Sequence, residues 1–255
     1  MSQQDFIIWV FCWVYDNLTA LQQNTRFRNR GHSPKLSDAE AITMEVGEFL
    51  GFSTDKGIWT YFRDHWREWF PGLGSRANFA KQVANLWVVK QKLQEKLARL
   101  LGAFDRPVHI IDGFPLPICR FKRAKGSAHF KGQADYGYCS AKNETDYGFK
   151  GHLMIDETGV VTGFTLTPAN VSEREATWDV VDSIQGYLFG DKGYLGVEFQ
   201  REMKQSGIEM ITPVRANMDD PVPRETRKSI NAKQRLIETV IGQRDWLQQA
   251  HVIRG

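Results

Sequence analysis

Cysteine is scarce in this chain: Cys12, Cys119 and Cys139 are the three in 255 residues, and no two of them form a C-x-x-C pair. That argues against a disulfide-stapled scaffold and leaves zinc a poor fit, and it suits a reducing, cytoplasmic compartment. Long apolar runs are also missing. The best, Phe6 to Tyr15, is about half a bilayer span and has neither a basic flank nor a small-residue cleavage site. No membrane helix or signal peptide is expected. Charge of one sign is not in excess either: 33 basic against 30 acidic residues leave +3, with a pI near 8.7. An acidic partner must therefore be met by local clusters and not by bulk charge. No G-x-x-x-x-G-K-[ST] loop occurs, so nucleotide hydrolysis is not indicated.

What is present is an ordinary globular composition, 42% hydrophobic and 25% charged. Five of the eight tryptophans precede residue 70 (Trp9, Trp13, Trp59, Trp66 and Trp69), which points to a compact helical segment with an aromatic core. Residues 1–103 read as helices. Ser37 and Glu40 form a capping box ahead of Ile42, Val46, Phe49 and Leu50 at helical spacing, with Gly51 to close the helix. A second helix runs through KGIWTYFRDHWREWF and ends before Pro71. A third spans Ala77 to Leu101, with Phe79, Val83, Leu86, Lys90, Leu93 and Leu97 three or four residues apart.

The pattern changes at Arg106-Pro107. VHIIDGFPLPIC reads as a buried strand running into a loop, and a basic glycine-containing stretch follows. YGFKGHLMID and VVTGFTLTPAN form a hairpin over Glu157-Thr158-Gly159. A helix (SEREATWDVVDSI), a strand (GYLFGDKGY), a helix around FQREMKQSG, a strand (IEMITPV) and a helix (RKSINAKQRLIETVIGQ) complete the order. An α/β unit of residues 104–255 thus stands behind an all-α one.

Two aspartates directly follow apolar strand runs, Asp112 after Val108-His109-Ile110-Ile111 and Asp191 after Tyr187-Leu188-Phe189-Gly190. Strand ends are where an open α/β sheet gathers its reacting groups. Glu238 lies on the last helix among Leu236, Ile237, Val240 and Ile241, where an acid needs a partner. Carboxylates converging from two strands and a helix make a hard-oxygen site that suits Mg²⁺. Asp156 is the strongest rival, since it also closes an apolar strand, but it precedes a turn. His109 reads as a packed core residue, and His152 is a weaker candidate to face the site.

At these residues the sequence resembles bacterial insertion-sequence transposases of the Asp-Asp-Glu type. The likeness is carried by IDGFPLPIC, YGFKGHLMID, GFTLTPANVSERE, GDKGY, ITPVRANM and RLIET, and extends over residues 20–243, including SDAEAITMEVGEFLG and HWREWFP. It implies an α/β fold, an RNase H-like mixed sheet with flanking helices, preceded by an all-α N-terminal region that binds DNA ends. It also implies a catalytic and metal-binding triad of Asp112, Asp191 and Glu238, Mg²⁺ or Mn²⁺ as cofactor, and double-stranded DNA as partner. A homodimer or larger assembly on DNA and a bacterial cytoplasmic setting follow from it as well. Members usually continue well past the glutamate, whereas this chain stops 17 residues after Glu238, and RDWLQQAHVIRG does not look like that continuation. Beside the active enzyme, this raises a second expectation: a truncated or frameshifted copy, inactive and at most DNA-binding.

Between Arg120 and Lys131 stand five basic residues (Arg120, Lys122, Arg123, Lys125 and Lys131) and no acid. A basic loop beside carboxylates suits a phosphate backbone, since neutralised phosphates release counterions. Lys192, next to Asp191, and Arg235, one turn before Glu238, are further phosphate contacts, although Arg235 at i−3 is equally placed for a helix salt bridge. A small-molecule metal hydrolase would explain the carboxylates but not the basic loop.

Overall fold

The computed structural model describes residues 1–24, 33–46, 52, 54–125, 130–139, 143–213, 233 and 235–242. They fall into two compact units, Met1–Leu97 and Ala98–Gln243. The expected boundary of the first helix at Gly51, the sequence 126–129 in the basic stretch, the start of the last helix and everything after Gly242 lie outside the described residues.

In the first unit, helix α1 (Gln3–Asn24) presents Ile7, Val10, Val14 and Leu18 to the core at helical spacing. Helix α2 (Asp38–Val46) starts at the expected capping box: Ser37 N–H donates to Glu40 Oε2 at 2.6 Å and Glu40 N–H to Ser37 Oγ at 3.2 Å. Helix α3 (Asp55–His65), capped by Thr54, stops one turn earlier than the sequence implied, at Trp66, whose N–H returns to Phe62 O. The single helix expected from Ala77 to Leu101 is two, α4 (Arg76–Asn85) and α5 (Trp87–Leu100). At Leu86 the N–H bonds to Val83 O, a three-residue turn that breaks the ladder while keeping Leu86 buried.

The tryptophans rim this core instead of filling it. Phe62, Phe70 and Phe79 are buried, Trp13, Trp59 and Trp66 are partly so, and Trp9 and Trp69 are exposed. An indole is large and carries a donor that needs an acceptor, which Trp59 finds at Gly74 O, 3.0 Å away.

The second unit is a mixed sheet. Its strands are β1 (Val108–Arg120), β2 (Asp135–Cys139), β3 (Glu144–Asp156), β4 (Val161–Pro168), β5 (Gly186–Phe189) and β6 (Ile208–Ile211). β3 runs antiparallel to β1, and β4 antiparallel to β3; β5 is parallel to β1, and β6 parallel to β5. The order β4-β3-β1-β5-β6 is the RNase H-like arrangement that the resemblance implied, and β2 shares the outer edge of β3 with β4.

β1 does not yield to a loop after Asp112. It runs on through Pro115 and Pro117, paired to Lys150 and Gly148. The two prolines stand two residues apart, so their missing donors fall on one side of the strand, and β5 reaches only Val108–Ile110 on that side. The hairpin forms as expected, with Gly159 at φ 92°. The helix after Ser172 is short, α7 (Glu173–Thr177), and three-residue turns continue it, so that Val180, Val181 and Ile184 are all buried.

Side-chain alternation sorts the apolar residues onto two faces. Ile111, Met154, Leu188 and Met210 pack with Val180, Val181 and Ile184 and with Phe199 and Met203 of α8 (Val197–Gln205). Ile110, Leu153, Ile155 and Phe189 pack with Ile237 and Ile241 of a helix at 235–242. Both faces are thus covered.

Candidate active site

Asp112 follows the last β1 rungs that pair with β5, and Asp191 follows the end of β5. Val108, His109 and Ile110 pair with Tyr187, Leu188 and Phe189. Parallel pairing brings the same ends of both strands together, so the two aspartates emerge beside each other. Asp112 Oδ1 accepts the Gly113 N–H at 2.8 Å, and Asp191 Oδ1 accepts the Gly193 N–H at 2.7 Å, capping the short turn Lys192–Tyr194. Both side chains are therefore oriented by their own backbones.

Partial burial and the charge of Asp191, with smaller contributions from Glu173 and Glu238, push the Asp112 carboxyl up to about 7. Glu238 is exposed on the helix at 235–242, which packs on the face that bears Ile110. Asp112 has the parity of Ile110, which accounts for its sensing Glu238. Among the described residues, no three His, Cys, Asp or Glu side chains are drawn together closely enough to hold a metal ion. The chemistry of the donors nonetheless fits Mg²⁺ or Mn²⁺, since all are carboxylates. A second sign is the Tyr194 hydroxyl, fully buried, without a hydrogen-bond partner, and under the charges of Glu173, Asp112 and Asp191.

The sequence alone does not single out Glu173. It is the first residue of α7, where an acid after a Ser172 cap reads as a routine dipole partner. In the fold its carboxylate lies against Gly113 of β1 and Gly193 of the turn that Asp191 caps. A β-carbon on Gly193 would fall onto Glu173 Oε2 and lie 2.9 Å from Asp191 Oδ1, and one on Gly113 would lie 3.2 Å from Glu173 Oε1. Lys150 Nζ stands 3.8 Å from Glu173 Oε1 and donates to Val171 O at 3.3 Å. Burial and Asp191 raise the Glu173 carboxyl, against the lowering pull of Lys150. A readable trace existed: each aspartate is followed closely by a glycine, which leaves room for another side chain.

The rival residues have structural tasks. Asp156 is buried, and its Oδ1 accepts from Thr158 N–H, Val160 N–H and the Thr158 hydroxyl at 2.8–2.9 Å, which makes it the brace of the hairpin turn. His109 is buried with Nε2 3.1 Å from Ala103 O, and burial lowers its pKa. His152 is buried beside Thr167 Oγ1 at 3.0 Å, with its pKa pushed down to about 4 by burial and by Lys150.

Of the basic residues, Arg120, Lys122, Arg123, Lys125, Lys131, Lys192 and Arg235 are all exposed. Lys122 and Arg123 lie on helix α6 (Phe121–Ala124), which Ala124 anchors against Ala134 and Tyr147. A cavity of about 300 Å³ adjoins the acids, lined by Phe114, Pro115, Tyr138, Phe149 and Lys150 and reaching Glu173 and Asp191.

A family model described as a transposase DDE domain matches residues 103–254. Among solved structures, the piggyBac transposase in a synaptic complex with hairpin DNA is similar at 11% identity and a TM-score of 0.39, covering 88% of this chain and 51% of that one. The chain therefore spans about half the length of that protein. No curated protein matches the sequence.

Proposed function

The chain belongs to the DDE transposase family, and on that footing we propose that it is a DNA transposase of an insertion sequence. It cuts at the ends of its element and joins the freed 3′-hydroxyl to target DNA, two phosphoryl transfers at one carboxylate centre. The observation that carries this reading is the pairing of β1 with β5, which sets Asp112 beside Asp191, with the Glu238 charge reaching Asp112. These three residues are the ones that would hold Mg²⁺ or Mn²⁺. Bound divalent ions lower the pKa of an attacking water or hydroxyl and stabilise the leaving oxygen.

The chain's own residues do the rest. The backbone N–H groups of Gly113 and Gly193 fix the rotamers of the two aspartates. Arg120, Lys122, Arg123, Lys125 and Lys131 grip phosphates flanking the scissile bond, with Lys192 and Arg235 nearer to it. The helical residues 1–103 bind element ends and residues 104–255 supply the chemistry. Because two ends must be processed together, the working species is a homodimer or a larger assembly on DNA, and a reducing bacterial cytoplasm suits the free Cys12 and Cys119.

The test is nicking of supercoiled plasmid by the full chain with Mn²⁺, followed by strand transfer from a 3′-hydroxyl end. Nicking should need the metal, vanish in Asp112→Asn, Asp191→Asn and Glu238→Gln, and persist in Asp156→Asn. Nicking that survives Asp191→Asn, or none at any metal concentration, would overturn the assignment.

A further inference from the structure

Glu173 has no place in a triad of Asp112, Asp191 and Glu238, yet it is the acid whose atoms lie nearest the backbones that carry both aspartates. Its Oε2 occupies the space a side chain on Gly193 would take, and its Oε1 borders Gly113. Its side chain is only 23% exposed. Taking a carboxylate into such a setting beside a second carboxylate is costly without a cation nearby, and Lys150 at 3.8 Å is a long, partial answer. Close by, the Tyr194 hydroxyl is enclosed without a partner. Such a buried donor calls for an acceptor that these side chains do not supply in their present positions.

We propose that Glu173 is a fourth carboxylate of the metal centre, ligating a divalent cation together with Asp191 from the α7 face of the sheet, opposite the face from which Glu238 approaches. The proposal rests on the reading of Asp112 and Asp191 as a cation site and adds one ligand to it. A glutamate has three side-chain torsions, so small rotations carry the Glu173 oxygens toward Asp191. Those rotations would also free the Tyr194 hydroxyl to donate to a carboxylate oxygen or to a water on the cation. Gly113 and Gly193 keep the path clear. Lys150 holds the carboxylate in place until the cation takes over its charge.

The experiment is Mn²⁺ binding to the full chain, by calorimetry and by the electron paramagnetic resonance signal of free Mn²⁺, with thermal melts alongside. Glu173→Gln should weaken binding about tenfold or more, a loss on the scale of other groups that support a bound metal. It should also raise the melting temperature in chelator, because one of several like charges is gone, and reduce the rise that Mn²⁺ produces. A purely structural glutamate would instead lower the melting temperature in chelator and leave the Mn²⁺ increment intact, which would overturn the proposal. Should Glu173→Gln fail to fold, Glu173→Asp reads the same question, since it keeps the charge but withdraws the carboxylate by one methylene and should also weaken Mn²⁺ binding. Wild-type affinity in Glu173→Asp would count against Glu173. A wild-type chain that binds no Mn²⁺ would sink the cation centre itself, whereas wild-type binding unaltered by both variants would sink only the role of Glu173.

Discussion

Asp191 stands to Asp112 as Phe189 stands to Ile110. The residue offset is the same, and Ile110↔Phe189 is the last rung that joins β5 to β1. The two carboxylates thus stand the same two residues beyond the final parallel rung. Their separation is set by backbone pairing and not by a flexible loop.

Partial burial of Asp112, together with that closeness, makes stability depend on pH. The Asp112 carboxyl titrates at about 7 in the fold and near 4 when unfolded. The folded state therefore holds this proton more tightly, and the group's contribution to stability is present below about pH 4, is lost as pH rises toward 7, and stays lost above it. In chelator, Asp112→Asn should melt at nearly the wild-type temperature at pH 4 and well above it at pH 8. The rise from near 4 to about 7 sets an upper bound of about 4 kcal/mol on the stability regained. His109 and His152, whose lowered values act oppositely as pH falls below about 6.5, are common to both proteins and cancel in the comparison. A difference independent of pH would contradict the coupling of Asp112 to its neighbours.

Asp156 should behave in the opposite way. Its buried carboxylate braces the hairpin with three donors, so Asp156→Ala should cost about 2–3 kcal/mol. That lowers the melting temperature by roughly 5–10 °C. Metal-dependent nicking should persist at permissive temperature, measured against Asp191→Asn. Complete loss of nicking in a folded Asp156→Ala protein would make Asp156 a metal ligand after all.

The basic residues around α6 should contribute affinity without sequence preference. Lys122, Arg123 and Lys125 are exposed while Ala124 is anchored, so replacing the three by alanine leaves the helix in place. DNA binding should weaken equally for all sequences, and the slope of log affinity against log salt should flatten by about one for each phosphate no longer neutralised. Unchanged binding would make this a solvated loop.

Much of this was legible in the sequence wherever the signal is local. Ser37 and Glu40 announced a capping box, apolar runs ending in Asp112 and Asp191 announced strands, and Glu157-Thr158-Gly159 announced a hairpin. The rest depended on neighbours distant in the chain. Pro115 and Pro117 read as strand breakers, and only the shortness of β5 leaves their side of β1 open. The break at Leu86 comes inside a run of regular helical periodicity, so spacing alone could not locate it. Glu173 reads as an ordinary first-turn acid, because its role follows from the approach of α7 to Gly113 and Gly193.

The β1–β5 ladder also sets a timetable. The β3–β4 hairpin closes over a few residues, whereas Val108 must find Tyr187 across 79 intervening steps of chain. Closing that large loop costs chain entropy before any parallel rung forms, and non-local pairing is slow. Pulsed hydrogen exchange during refolding should find the amides of β3 and β4 protected before those of β5 and β6. A nascent or half-folded chain would then own most of its sheet but not its pair of aspartates. On the proposed reading, the cation centre would be complete only once β5 had joined β1 and the later helix bearing Glu238 had docked, so an immature chain would lack the proposed chemistry.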